Sequence, residues 1–142
     1  MTRYFSAVGP RALVASLLLS SALVGTAFAQ TVLSTPLSGP GNGNGVADVT
    51  LDPSAGTLCY SMALNLNPSA TAAHIHRGAA GTNGPIAVPF FTSTPTASDS
   101  PSGCGQQDPA VITEILADPA GFYVNVHNAD FPSGALRGQL GQ

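Results

Sequence analysis

Between Thr57 and Leu66 the apolar residues Leu58, Tyr60, Met62, Leu64 and Leu66 fall on every second position, with Thr57, Cys59, Ser61, Ala63 and Asn65 between them. A period of two belongs to a strand whose side chains point alternately to a dry and a wet face. Such a stretch needs partner strands for its backbone and a core for its apolar face. The preceding segment, Val46 to Leu51, alternates in the same way, placing Ala47, Val49 and Leu51 against Val46, Asp48 and Thr50. Between the two lies Asp52-Pro53-Ser54-Ala55-Gly56, where a preset proline φ and a following glycine suit a turn. The pair predicts a β-hairpin.

The same reading extends along the chain. Ala72 to Arg77, Ile86 to Phe91, Phe122 to His127 and Ala135 to Leu140 are short strand candidates, and Pro89 places the second of them at a sheet edge or ends it early. Asp108-Pro109 supplies an N-cap and a first-turn proline. After it, Val111, Ile112, Ile115 and Leu116 have helical spacing until Asp118-Pro119, so one short helix is expected over Ala110 to Ala117. Residues 30–45 are expected to be a flexible lead-in or a turn, and Thr92 to Gln107 a long surface loop. Short alternating segments separated by glycine and proline turns indicate an all-β fold, an antiparallel β-sandwich of Greek-key or immunoglobulin-like type with one short helix. A chain of 142 residues leaves room for one such domain, here 46–142.

The amino terminus has a different character. Arg3 and Arg11 stand without an acid, Ala12 to Val24 form an apolar run broken only by serines, and Ala27-Phe28-Ala29 has the small-x-small form of a cleavage site. This is the pattern of a secretory signal peptide over residues 1–29, cut after Ala29. The apolar run falls short of the roughly 20 residues that span a bilayer, so no membrane span is expected in the mature protein. Export would place a monomer in the periplasm or outside the cell. Export would also leave two basic residues against seven acidic ones, a net charge of −5 with no lysine, which excludes a basic surface for nucleic acid. Cys59 and Cys104 both lie in the mature part, and an even count in an exported chain points to one disulfide.

Three blocks then carry a resemblance: Ala73-His74-Ile75-His76-Arg77-Gly78-Ala79-Ala80-Gly81-Thr82-Asn83-Gly84-Pro85, Tyr123-Val124-Asn125-Val126-His127-Asn128, and Pro132-Ser133-Gly134-Ala135-Leu136-Arg137-Gly138-Gln139-Leu140. In this order and spacing they resemble the CHRD (chordin-type) domain over about Val46 to Leu140. The resemblance implies an extracytoplasmic β-sandwich of the kind found within animal chordins and as small exported bacterial proteins. The chordin role of binding a signalling protein has no residue-level counterpart in these blocks.

The histidines are the candidate chemistry. On a strand, His74 and His76 project from one face about 7 Å apart at Cα, a spacing that suits two ligands of one ion. His127, on another strand, could complete a three-nitrogen site for one copper or zinc ion with a position left open. The arrangement resembles the copper side of copper–zinc superoxide dismutase in the His-x-His tripeptide alone, and three histidines are too few for a dinuclear centre. A copper-dependent redox enzyme is therefore one alternative. A metal-free protein–protein interaction domain with an extracytoplasmic partner is another, and histidines that simply hydrogen-bond to Tyr123, Asn125 or loop carbonyls are a third.

Asn125, Asn128 and Asp130 are candidates for supporting the ligands, with turn capping as the other explanation for the last two. Arg77 and Arg137 could pair with carboxylates such as Asp48 or Asp130, or bind an anion. No G-x-S-x-G, phosphate loop or dinucleotide fingerprint is present, and Glu114, the one glutamate, lies on the expected helix. No catalytic residue is therefore assigned.

Overall fold

The computed structural model describes residues 29–93, 95 and 99–141. The proposed signal peptide, except Ala29, lies outside these residues. In chain order the elements are β1 (Thr31–Ser38), β2 (Asn44–Asp52), β3 (Thr57–Asn65), β4 (Ala70–Arg77), β5 (Ile86–Phe91), β6 (Ser102–Gln106), α1 (Pro109–Ala117), a 3-10 turn (Pro119–Gly121), β7 (Phe122–Asn128) and β8 (Leu136–Gln139). The fold is all-β and antiparallel with one short helix, as the periodicities require.

The hairpin is β2 and β3, paired without a slip from Asn44↔Asn65 to Asp52↔Thr57. Its turn is held by Asp52, whose Oδ1 accepts from Ser54 N at 2.9 Å, Ser54 Oγ at 2.6 Å and Ala55 N at 2.9 Å. Gly56 closes it at φ 64°, a left-handed conformation that favours glycine. On α1, Asp108 caps Ala110 N at 2.9 Å as expected, while Ile112 and Ile115 are buried in the core.

Among the described residues the ladder forms one eight-stranded sheet in the order β5-β4-β7-β8-β1-β2-β3-β6. Where two separate sheets were expected, the division is reduced to a seam: β8 and β1 meet at one register pair, Ser38↔Arg137, between two four-stranded halves. The sheet curls until its ends face each other. Tyr60 of β3 stacks on Phe90 of β5 with centroids 4.5 Å apart. The nearly barrel-shaped result encloses a single core to which every half contributes, including Val49, Leu58, Ile75, Val88, Val124 and Leu136.

Two expectations are corrected. Residues 31–38, expected to be part of a flexible lead-in, form β1 in the middle of the sheet, paired with β2 along its whole length. The alternation is present but disguised: Thr35 and Leu37 are buried while Val32 points outward. Residues 102–106, expected to be loop, form β6, an edge strand that pairs with β3 from Ser61↔Ser102 to Thr57↔Gln106. Cys59 and Cys104 are opposite one another in that pair and form the disulfide. Pro89 does lie on an edge strand, β5.

Candidate metal centre

Strands β4 and β7 pair antiparallel, with His74 opposite Asn125, His76 opposite Tyr123 and Ala72 opposite His127. On β4 the other face carries Ala73 and Ile75, both fully buried in the core. The core thus fixes the strand's orientation, and alternation turns His74 and His76 away from it. Register shifts in the β4–β5 pairing at Ala73/His74 and Ile75/His76 mark irregularities beside both histidines, a common device for re-aiming side chains. His127 lies diagonally across the ladder from His74.

The structure brings all three imidazoles together. One ring nitrogen from each lies within 4.8 Å of the others. His74 Nδ1 and His127 Nε2 are 3.2 Å apart. His76 Nδ1 is 2.8 Å from the carbonyl oxygen of Gly84, and His127 Nδ1 is 2.8 Å from that of Pro132. A carbonyl can only accept, so both Nδ1 atoms carry protons, and in the neutral rings both Nε2 atoms are bare lone pairs. His74 Nδ1–H then donates to His127 Nε2. His76 Nε2 is buried and has no hydrogen-bond partner among the described residues.

An orphaned, inward-facing imidazole lone pair beside two further nitrogens fits a metal ion. Three nitrogens bound to one ion lie about 3.3–3.6 Å apart, so the rings would have to turn inward from their 4.8 Å spread to share one ion. The loop carbonyls also do what outer partners of ligating histidines do, fixing tautomer and ring direction. Burial pushes the pKa of His74 down, and the nearby His127 and His76 push it the same way. His127 is lowered chiefly by burial, against the opposing pull of the Pro132 carbonyl, with His76 and Arg137 adding to the lowering. Neutral imidazole, the ligating form, is favoured at both.

The other expected site residues divide. Asn125 is buried, donates to Ser133 O at 3.3 Å and accepts from Arg137 Nε at 3.1 Å, so it supports the loop that carries Pro132. Asn128 is buried and caps its own turn: its Oδ1 accepts from Phe131 N at 2.9 Å and its Nδ2 donates to Pro68 O at 3.0 Å. Asp130 is exposed and outside the converging group. Arg77 pairs with Glu114 at 2.7 Å rather than with Asp48 or Asp130, tying β4 to α1.

Sequence reasoning passed over the Gly84 and Pro132 carbonyls, since a backbone oxygen has no residue signature. It also missed how much converges on Tyr123, fully buried and stacked on the His76 ring at 5.1 Å with an interplanar angle of 14°. The signal available for Tyr123 was its position on the polar face, in register with the histidine.

No curated protein and no solved structure matches the chain. A family model described as the CHRD domain matches residues 26–140, a span that holds all eight described strands and the three histidines. The chain belongs to the CHRD domain family.

Proposed function

We propose that this chain is an exported CHRD-domain binding module that holds one copper or zinc ion through His74 Nδ1, His76 Nε2 and His127 Nε2. The observation that carries the reading is the buried, unpartnered His76 Nε2 facing two further imidazole nitrogens. On binding, His74 would shift its proton from Nδ1 to Nε2, so that three neutral imidazoles ligate with no net proton release. Asn125 would steady the Pro132 loop. Asn128 and Asp130 play no direct part in this reading. Export is supported by the signal-peptide pattern ending at Ala29 and by the formed disulfide, which suits an oxidising compartment. No helix among the described residues is long and apolar enough to cross a membrane. The Greek-key form of the fold is supported by the order β7-β4-β5-β6, taken across the gap where the sheet ends face each other.

Calorimetric titration of purified protein with Cu(II) and Zn(II) tests the site. The wild type is expected to bind one equivalent, and His76→Ala to lose most of that affinity. Equal, micromolar-or-weaker binding by both proteins would sink the proposal.

A copper-dependent redox enzyme is the second reading, because three protein ligands leave a coordination position open. Its chemistry would come from the ion, while the chain would supply orientation and restricted access. Superoxide turnover by the copper-loaded protein no faster than by free copper would dismiss it.

A further inference from the structure

Arg137 of β8 lies on the same face as the histidines, opposite Asn125 in the β7–β8 register. Its guanidinium has five N–H donors, and each has its own acceptor. Nε donates to Asn125 Oδ1 at 3.1 Å. Nη1 donates to Ala80 O at 3.1 Å and Thr82 O at 3.0 Å. Nη2 donates to Asn83 Oδ1 and Ser133 O, both at 2.7 Å. Apart from Asn125 on β7, the acceptors lie on two different loops. Ala80, Thr82 and Asn83 lead into Gly84, whose carbonyl accepts from His76, and Ser133 follows Pro132, whose carbonyl accepts from His127.

We propose that Arg137 is the positioning residue of the three-histidine site, a single cation that holds in place both carbonyls that fix the tautomers of His76 and His127. The inference rests on the metal-site reading for its purpose, but its geometry stands in the metal-free protein. The surroundings fit the role. Gly134 has φ 138°, and a Cβ there would lie 2.3 Å from Asn125 Oδ1 and 2.8 Å from Arg137 Nε, so glycine leaves the space in which Arg137 meets Asn125. A Cβ at Gly84 would fall 1.6 Å from Arg77 O, which fixes how closely this loop lies on β4. The guanidinium also sits 5.4 Å from the Tyr123 ring centroid, and that ring in turn stacks on His76. A lysine would keep the charge yet supply three donors on a point-like head, and could not span both loops.

The test uses metal-free, nitrogen-15-labelled wild type, Arg137→Lys and Asn83→Ala, with imidazole nitrogen shifts reporting tautomers and zinc titration reporting affinity. In the wild type His76 and His127 are expected as Nδ1–H tautomers. Arg137→Lys should turn both into tautomer mixtures and weaken zinc binding by about 10- to 100-fold, with β2 and β3 amide resonances unmoved. Asn83→Ala, which removes one acceptor from an exposed loop position, should disturb His76 and spare His127. It decides the matter if Arg137→Lys does not fold. Unchanged tautomers and unchanged zinc affinity in Arg137→Lys, or an unchanged His76 in Asn83→Ala, would overturn the proposal. If the tautomers respond as described while the wild type itself takes up no zinc, the metal reading fails and the positioning role of Arg137 is upheld.

Discussion

Tyr123 shows how much of this site rests on single atoms. Its hydroxyl donates to Thr82 O at 2.8 Å and accepts from Gly84 N at 3.1 Å. Removing the oxygen has unequal effects on the two partners, because Thr82 O keeps its bond from Arg137 while Gly84 N loses its acceptor. An unsatisfied N–H costs about 1–3 kcal/mol when fully buried, and Gly84 is part-buried, so Tyr123→Phe is expected to lower unfolding free energy by about 1 kcal/mol, the low end of that range, in urea denaturation. The stack on His76 needs only the ring, so zinc affinity should fall by less than in Arg137→Lys. A Phe variant as stable as wild type would show that the loop finds another acceptor. His76 presents the converse case. Its buried Nε2 lacks a hydrogen-bond partner among the described residues, and a polar atom in that condition calls for an explanation, which the proposed metal ion would supply.

The elements legible in the sequence are those whose burial follows the binary pattern. In β3, Leu58, Met62 and Leu64 are buried at alternate positions, and in β4 Ala73 and Ile75 face the core opposite the histidines. Three ligand candidates could be named from this, because His74 and His76 share a face by periodicity alone. β1 was not legible, since it buries Thr35 and exposes Val32, while β6 has the sequence Ser-Gly-Cys-Gly-Gln and no apolar face to show. Its place depends on pairing with β3 and on the disulfide, both long-range. The loops over the site were equally hidden, because their work is done by carbonyls.

The β2–β3 turn was legible through Pro53 and Gly56, and Asp52, which holds it, makes a pH-dependent prediction. Hydrogen bonds, the Ser54 hydroxyl first among them, hold the Asp52 pKa down at about 2, below the 3.8 of a free side chain. The folded state therefore favours the carboxylate. Its contribution is complete above about pH 4 and is lost as pH falls through about 2. The gap in thermal midpoint between wild type and Asp52→Ala is expected to be constant from pH 5 to 7 and to close between pH 4 and 2. A gap that is flat across the whole range would show that the charge is irrelevant to the turn.

At the level of the molecule, the histidine site and the disulfide sit on opposite halves of the sheet. His74, His76 and His127 belong to β4 and β7, in the half β5-β4-β7-β8, whereas Cys59 and Cys104 join β3 to β6 in the other. Along the chain they are not separate, because the 45-residue interval between the cysteines contains all of β4 and β5. Sequence proximity predicts that reduction would loosen the site, and spatial arrangement predicts that it would not. The spatial argument is the stronger, since β4 is held by ladders to β5 and β7, and its histidines' partners come from β7 and the β4–β5 loop.

Cross-linking across 45 residues restricts the unfolded chain and contributes about 4 kcal/mol in the loop-entropy model. A Cys59→Ser, Cys104→Ser double variant is therefore expected to lose about that much stability in urea. Under native conditions it should bind zinc within about twofold of wild type, because metal affinity is set by the geometry of the folded ligands. The test has a sharp alternative. Tyr60 on β3 stacks against Phe90 on β5, so the two halves touch where the sheet nearly closes. If that contact transmits the position of β6 to β4, zinc affinity in the double variant would fall tenfold or more, and the nearly closed barrel would have to be treated as one mechanical unit. Retained affinity with reduced stability would establish the β4–β7–β8 half as the unit that builds the site.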